Sequence, residues 1–328
     1  MHILKRLLLV FATACILMFF SEFFFVNEDP AFHLVEGLQT EPLLATFGLL
    51  EFALWYSIPA YIFLIAVGYF SVNTIWGLIL AGSFYGFTLE GVLVWQMYEA
   101  LPFSISWTPI GWHVLVDVLL GWYLVSSILS RNAYWQTAAL AIGLGLFWGF
   151  WATWYWVERQ AMIPTEFALL AFTVGSLWIV AQLVLNRLLP IRFTTTKFEM
   201  WGVGLLTLFI FLVQIAFVLP IGLLVLPPLV AITFLGLHCS KRNEQDQSVL
   251  SGLQGGATIP NQLLLILTPL IAAATYSVYY HLNPPSIITE LLPFFLMMAG
   301  FVVYGMALWK TIVHRRSKLS VEQRVLLK

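Results

Sequence analysis

The sequence predicts an all-α fold: a polytopic bundle of about ten transmembrane helices, with the N-terminus and C-terminus both cytoplasmic. Three observations predict it. Of the 328 residues, 61% are hydrophobic and only 9% are charged, whereas a soluble domain carries about a quarter charged residues. Apolar runs long enough to span a bilayer, about 17–25 residues each, recur along the whole chain. Lysine and arginine fall almost entirely into alternate breaks between those runs, the asymmetry that orients membrane helices. Cys15 and Cys239 stand far apart in no metal or redox spacing, so no disulfide framework is expected.

The first run, near residues 6–26, follows the basic start MHILKRLLLV, as a secretory signal does. No small-residue cleavage site ends it and the apolar stretch continues to Val26, so an uncleaved first span is expected. Further spans are expected near 43–70, 75–97, 112–130, 135–157, 166–187, 201–219, 221–238, 262–280 and 291–310. Pro59 in the second and Pro227-Pro228 in the eighth interrupt helical hydrogen bonding. The seventh and eighth are divided only by Leu219-Pro220-Ile221-Gly222; a re-entrant hairpin there, with eight or nine spans in all, is the alternative.

With ten spans and the N-terminus inside, the inner segments hold Lys5, Arg6, Arg131, Arg187, Arg192, Lys197, Lys241, Arg242 and every basic residue from Lys310 onward. The outer loops hold one, Arg159, beside Glu28, Asp29, Glu36, Glu41, Glu99, Glu166 and Glu290. Removing one middle span would scramble this pattern. Residues 1–160 then form one five-helix half and 161–328 another, the second with a polar cytoplasmic loop, 239–262, and a basic C-terminal tail. Such halves would face opposite ways, as inverted repeats do, but the two do not align.

Charged side chains inside the membrane are the main functional signal, because each is costly there. At 1.5 Å of rise per residue, Glu90 near the end of span three, Asp117 near the start of span four and Glu51 in span two all come out about 10–12 Å below the outer surface. His113, four residues before Asp117, stacks on the same helical face. A loop carrying Pro109 and Gly111 is expected to lead into these residues. Glu22 and Glu158 fall nearer the outer ends of spans one and five. Gly82, Gly86 and Glu90 form one stripe at intervals of four, His113, Asp117 and Gly121 another, and Gly145 and Gly149 a third. Small-residue stripes mark close helix approach, so a polar pocket among spans one to five, open to the outside, is expected. The 14 tryptophans read mainly as interfacial belt, with Trp95, Trp112, Trp151 and Trp154 as pocket candidates. The second half offers no intramembrane acid, only Gln182, Gln214 and the tyrosines of TYSVYYH.

Three carboxylates in one low-dielectric pocket require a cation, a protonated His113 or neutral carboxyls. A divalent metal held by Glu51, Glu90, His113 and Asp117, with His281 as a further candidate, suits zinc, manganese or iron by ligand type. Without metal, His113 with Asp117 or Glu90 is a proton-transfer pair. The HxxxD arrangement on an apolar helix resembles one motif of the CAAX-type membrane proteases and the sterol-isomerase (emopamil-binding) family; the proteases' Glu-Glu motif is absent. The leading expectation is a membrane enzyme acting on a lipid or isoprenoid-type substrate from the outer leaflet, through catalytic Glu51, Glu90, His113 and Asp117. A proton- or cation-coupled transporter using the same acids is the second, and a non-catalytic assembly or cofactor-holding subunit the third. The partners expected are membrane lipids and a hydrophobic small molecule, with no nucleic acid, and the location a plasma (inner) membrane.

Overall fold

The computed structural model describes residues 3–157, 159–189, 193–240, 249–253, 256–283 and 287–326. Glu158 and Arg192 lie outside the described residues, as do Lys241, Arg242 and most of the polar loop they begin. All regular structure among the described residues is helical, and ten helices are long and apolar enough to cross a membrane. They are Ile3–Phe24, Pro42–Tyr69, Ile75–Leu93, Ser104–Ser130, Tyr134–Val157, Pro164–Leu188, Lys197–Ala216, Gly222–Ser240, Ile259–Leu282 and Leu291–Ile312, numbered below as spans one to ten. The segment around Pro220 is thus a turn between two separate spans. Ten is an even number, so if each span crosses, spans one and ten begin and end on the same side.

Two stretches differ from the sequence reading. Span four starts at Ser104, not near residue 112, so Pro109 and Gly111 lie inside the helix. Pro109 stands two residues into the π-helical stretch Trp107–Leu124, where it supplies no backbone N–H to the helix. Gly111 is required by packing: a Cβ there would meet the carbonyl oxygen of Leu296 in span ten at 2.6 Å. The second stretch, between spans one and two, reads as an outer loop but contains the helix Glu28–Thr40. Ala31, Leu34 and Val35 bury one side of it, the spacing of an amphipathic helix, and Glu28 and Asp29 sit in its first turn, where the helix dipole favours acids.

Span one lies at the centre, packed against spans two, four and six. Span three lies against two, four, eight and ten, while five and nine run along each other. Gly145 and Gly149 explain the last pair, since a Cβ at either would strike the backbone carbonyls of Thr268 or Ala272. That stripe therefore seats span nine and does not face the expected pocket. Helices of the first and second halves are interleaved throughout. Spans seven and ten bury little of themselves, leaving apolar faces for lipid. Span seven begins with a capping box: the Glu199 N–H donates to Thr196 Oγ1 at 3.2 Å and the Thr196 N–H to Glu199 Oε2 at 2.8 Å. Glu199 also pairs with Arg6, which fastens span seven to the inner end of span one.

Candidate functional site

The helices that carry the acids are irregular where the acids sit. Glu22 belongs to a π-helical turn, Phe19–Phe24, Glu90 to another, Leu89–Leu93, and His113 and Asp117 to the long π-helical stretch of span four. A fourth such segment, Phe211–Ala216, holds only Gln214 among polar side chains. π-Turns are rare and gather at functional sites, because they shift the register of the side chains beyond them. Three helices here depart from α geometry around one cluster.

The end of span one leaves carbonyls without helical partners, and tryptophans take them. The indole N–H of Trp112 donates to the Phe20 carbonyl at 3.1 Å and that of Trp148 to Phe23 at 2.9 Å. Those of Trp151 and Trp154 converge on Phe25 at 2.8 and 2.9 Å. These residues are not belt residues, and Trp112, Trp148 and Trp151 are fully buried. Immediately after, Val26 adopts φ 60°, a left-handed conformation that is a true outlier for a β-branched residue. It turns the chain so that the Asn27 side chain donates to Glu22 Oε2 at 2.7 Å. At the end of span three, the buried Tyr98 hydroxyl donates to the Gly91 carbonyl at 2.7 Å; burial raises its pKa, which keeps it a neutral donor.

His113 is the hub. Its Nδ1 lies 2.7 Å from Asp117 Oδ2 and its Nε2 2.6 Å from Glu90 Oε1. Tyr85 donates to Asp117 Oδ2 at 3.2 Å. Glu90, His113 and Asp117 are 4%, 3% and 0% exposed, so little of the cluster meets solvent. Glu90 Oε2 and Asp117 Oδ1 are buried and accept no hydrogen bond from the described residues. Beside them Glu22 accepts from Tyr56, whose oxygen also bonds Ser21 Oγ at 2.7 Å. A cavity of about 640 Å³ reaches this cluster, with Glu22, Glu90 and His113 in its wall. Its rim carries Gln96, Glu99 and Trp107, and Pro293, Phe294 and Met297 of span ten close one side. The expected pocket among spans one to five thus gains a wall from the last span.

Of the four expected site residues, Glu90, His113 and Asp117 come together and Glu51 does not. Glu51 is exposed on span two, whose buried face is Leu49, Ala53, Tyr56, Ala60 and Phe63. That stripe, at steps of three and four, carries Tyr56 into the cluster and leaves Glu51 off it. Glu22 takes the place expected for Glu51. His281 is exposed at the far end of span nine. Tyr85, Ser21 and Asn27 belong to the network without any spacing in the sequence to announce them. Among the described residues, no group of three or more His, Cys, Asp or Glu side chains is arranged to hold a metal ion. Both His113 nitrogens are engaged by carboxylates, which leaves no ring lone pair for a metal, so the donor set does not fit one. No family model, curated protein or solved structure matches this chain.

Proposed function

We propose that the chain is an integral membrane enzyme, in a plasma (inner) membrane, that moves a proton to or from a lipid or isoprenoid-type substrate. The observation that carries this reading is the unbroken chain Glu90–His113–Asp117, one end of which lines a cavity. Contacts of 2.6 and 2.7 Å each require a proton between the two heavy atoms. The three groups therefore hold two bridging protons, as imidazolium with two carboxylates or as neutral imidazole with one carboxylic acid. Glu90 Oε2 has room for a third. A proton taken there from the substrate is balanced by the shift of one bridging proton toward His113 and of the other toward Asp117. Glu90 is the general base or acid, His113 the relay, and Asp117 with Tyr85 orients the ring. Positioned acid–base groups of this kind contribute about 10²–10⁴-fold to a rate.

A transporter is the second reading. What favours it is a buried polar set on the inner side, where Gln182 donates to the Gly121 carbonyl at 3.4 Å, Ser126 donates to Gln182 at 3.2 Å and Asn186 donates to the Gln182 carbonyl at 2.8 Å. No hydrogen bond among the described residues joins this set to Asp117.

Amide substitution tests the proposal. Glu90→Gln and Asp117→Asn keep shape and hydrogen bonding but neither titrate nor carry charge. Each is expected to cut activity at least about a hundredfold, read by complementation of a deletion strain. The melting temperature should stay within about 4 °C of wild type. Full complementation by both variants would make the acids structural, and the chain an assembly or cofactor-holding protein.

A further inference from the structure

The cavity that meets Glu90 restricts what it can hold. Three carboxylates, those of Glu22, Glu90 and Glu99, line it, and among the described residues no lysine or arginine does. Its polar end is also ringed by aromatic side chains, with Phe25 against Trp112 at 4.6 Å and against Trp107 at 6.1 Å between ring centroids. Glu90 is 4% exposed and its Oε2 has no hydrogen-bond partner among the described residues, so one acceptor in the wall is unmatched by them. Buried carboxylates demand a cation or a proton, and aromatic faces attract cations, quaternary ammonium above all. A phosphate or carboxylate headgroup would meet the like charge of these carboxylates, while both ring nitrogens of His113, the one basic side chain among the described lining residues, are already taken by Glu90 and Asp117. The volume lies within the range of small-molecule sites, roughly 300–1,000 Å³.

We propose that this cavity binds an amphiphile whose polar end is an ammonium group, seated between the carboxylates of Glu22 and Glu90 and the rings of Phe25 and Trp107. The apolar tail lies along Phe294 and Met297 of span ten. The proposal rests on the reading of this cavity as the substrate site, and it names the charge of what enters.

Binding without turnover tests it, so that ligand class and proton transfer fail separately. Full-length protein in maltoside micelles, captured on scintillation-proximity beads, is titrated with tritiated dodecyltrimethylammonium. Unlabelled dodecyltrimethylammonium, dodecanol and dodecyl phosphate compete. The expected result is saturable binding to one site, with the ammonium compound displacing the label at least about thirtyfold better than the alcohol or the phosphate. Glu90→Gln and Trp107→Leu should each weaken binding at least about tenfold. Trp107→Phe, which keeps a ring, should retain most of it, and Glu41→Gln, outside the wall of this cavity, should bind as wild type. Equal displacement by dodecanol or dodecyl phosphate would overturn the proposal, as would undiminished binding in Glu90→Gln. If Glu90→Gln binds weakly yet complements fully, the ligand class stands and the proton relay falls. If it fails to complement while wild type never binds the ammonium selectively, the ligand class falls and the relay stands.

Discussion

A histidine gripped at both nitrogens by carboxylates is fixed in position, and removing it is worse than neutralising either neighbour. His113→Ala would leave Glu90 and Asp117 facing a gap in a site nearly closed to water. Truncating one member of a buried charged pair costs about 3–5 kcal/mol, and thermal unfolding should show that loss. Tyr85→Phe removes one donor to Asp117 Oδ2 but leaves the His113 bond in place. It should cost about 1 kcal/mol and lower activity without abolishing it. Equal stability of His113→Ala and wild type would show that the carboxyls stay neutral without the ring. At this scale the sequence showed three members of the cluster, Glu90, His113 and Asp117. Residues at spacing four on one helix, His113 and Asp117, were legible because helical geometry alone places them together. Tyr85, Tyr56 and Asn27 were not, because their partners depend on how spans one to four dock. Glu51 falls outside the cluster because depth alone does not set the face, and span two is apolar all round, so only the packing shows that Leu49, Ala53, Tyr56, Ala60 and Phe63 form its buried side.

Helix ends and π-turns decide where those side chains point. Apolar periodicity finds a span but does not reveal a π-turn, since the extra residue per turn leaves composition unchanged. The start of span four was misread for the same reason: Pro109 and Gly111 look like a loop unless the neighbour that needs the glycine is known. The glycine stripe of span three was legible, and its two members differ in consequence. A Cβ on Gly82 would approach Val118 Cγ1 at 3.2 Å, a methyl group that can yield. A Cβ on Gly86 would collide with the backbone carbonyl of Pro109, which cannot move without pushing span four, and His113 with it, away from Glu90. Gly82→Ala should therefore stay within about 1 kcal/mol of wild type, while Gly86→Ala should lose about 1–3 kcal/mol as overpacked cores do. Activity should fall in Gly86→Ala alone. Similar melting temperatures and activities for the two would show that spans three and four slide freely at this crossing.

The whole molecule gives the site a direction. With ten spans, the lysine and arginine distribution leads us to expect the cavity rim, with Gln96 and Glu99, on the outer side and the chain ends within. The count was legible because lipid selects for long apolar runs; the packing order was not, because apolar faces look alike in sequence. Orientation can be tested in a Cys239→Ser background, since the remaining Cys15 is buried. Gln39→Cys, at the exposed end of the outer helix, and Gln96→Cys, at the cavity rim, both occupy exposed positions. A membrane-impermeant maleimide should label both on intact cells. Thr194→Cys, exposed between spans six and seven, should react only after permeabilisation. Dodecyltrimethylammonium should slow labelling of Gln96→Cys and leave Gln39→Cys unaffected, because only the first borders the cavity. Labelling of Thr194→Cys on intact cells, with Gln96→Cys protected, would invert the topology. The acids would then face the cytoplasm, and the substrate would enter from the inner leaflet.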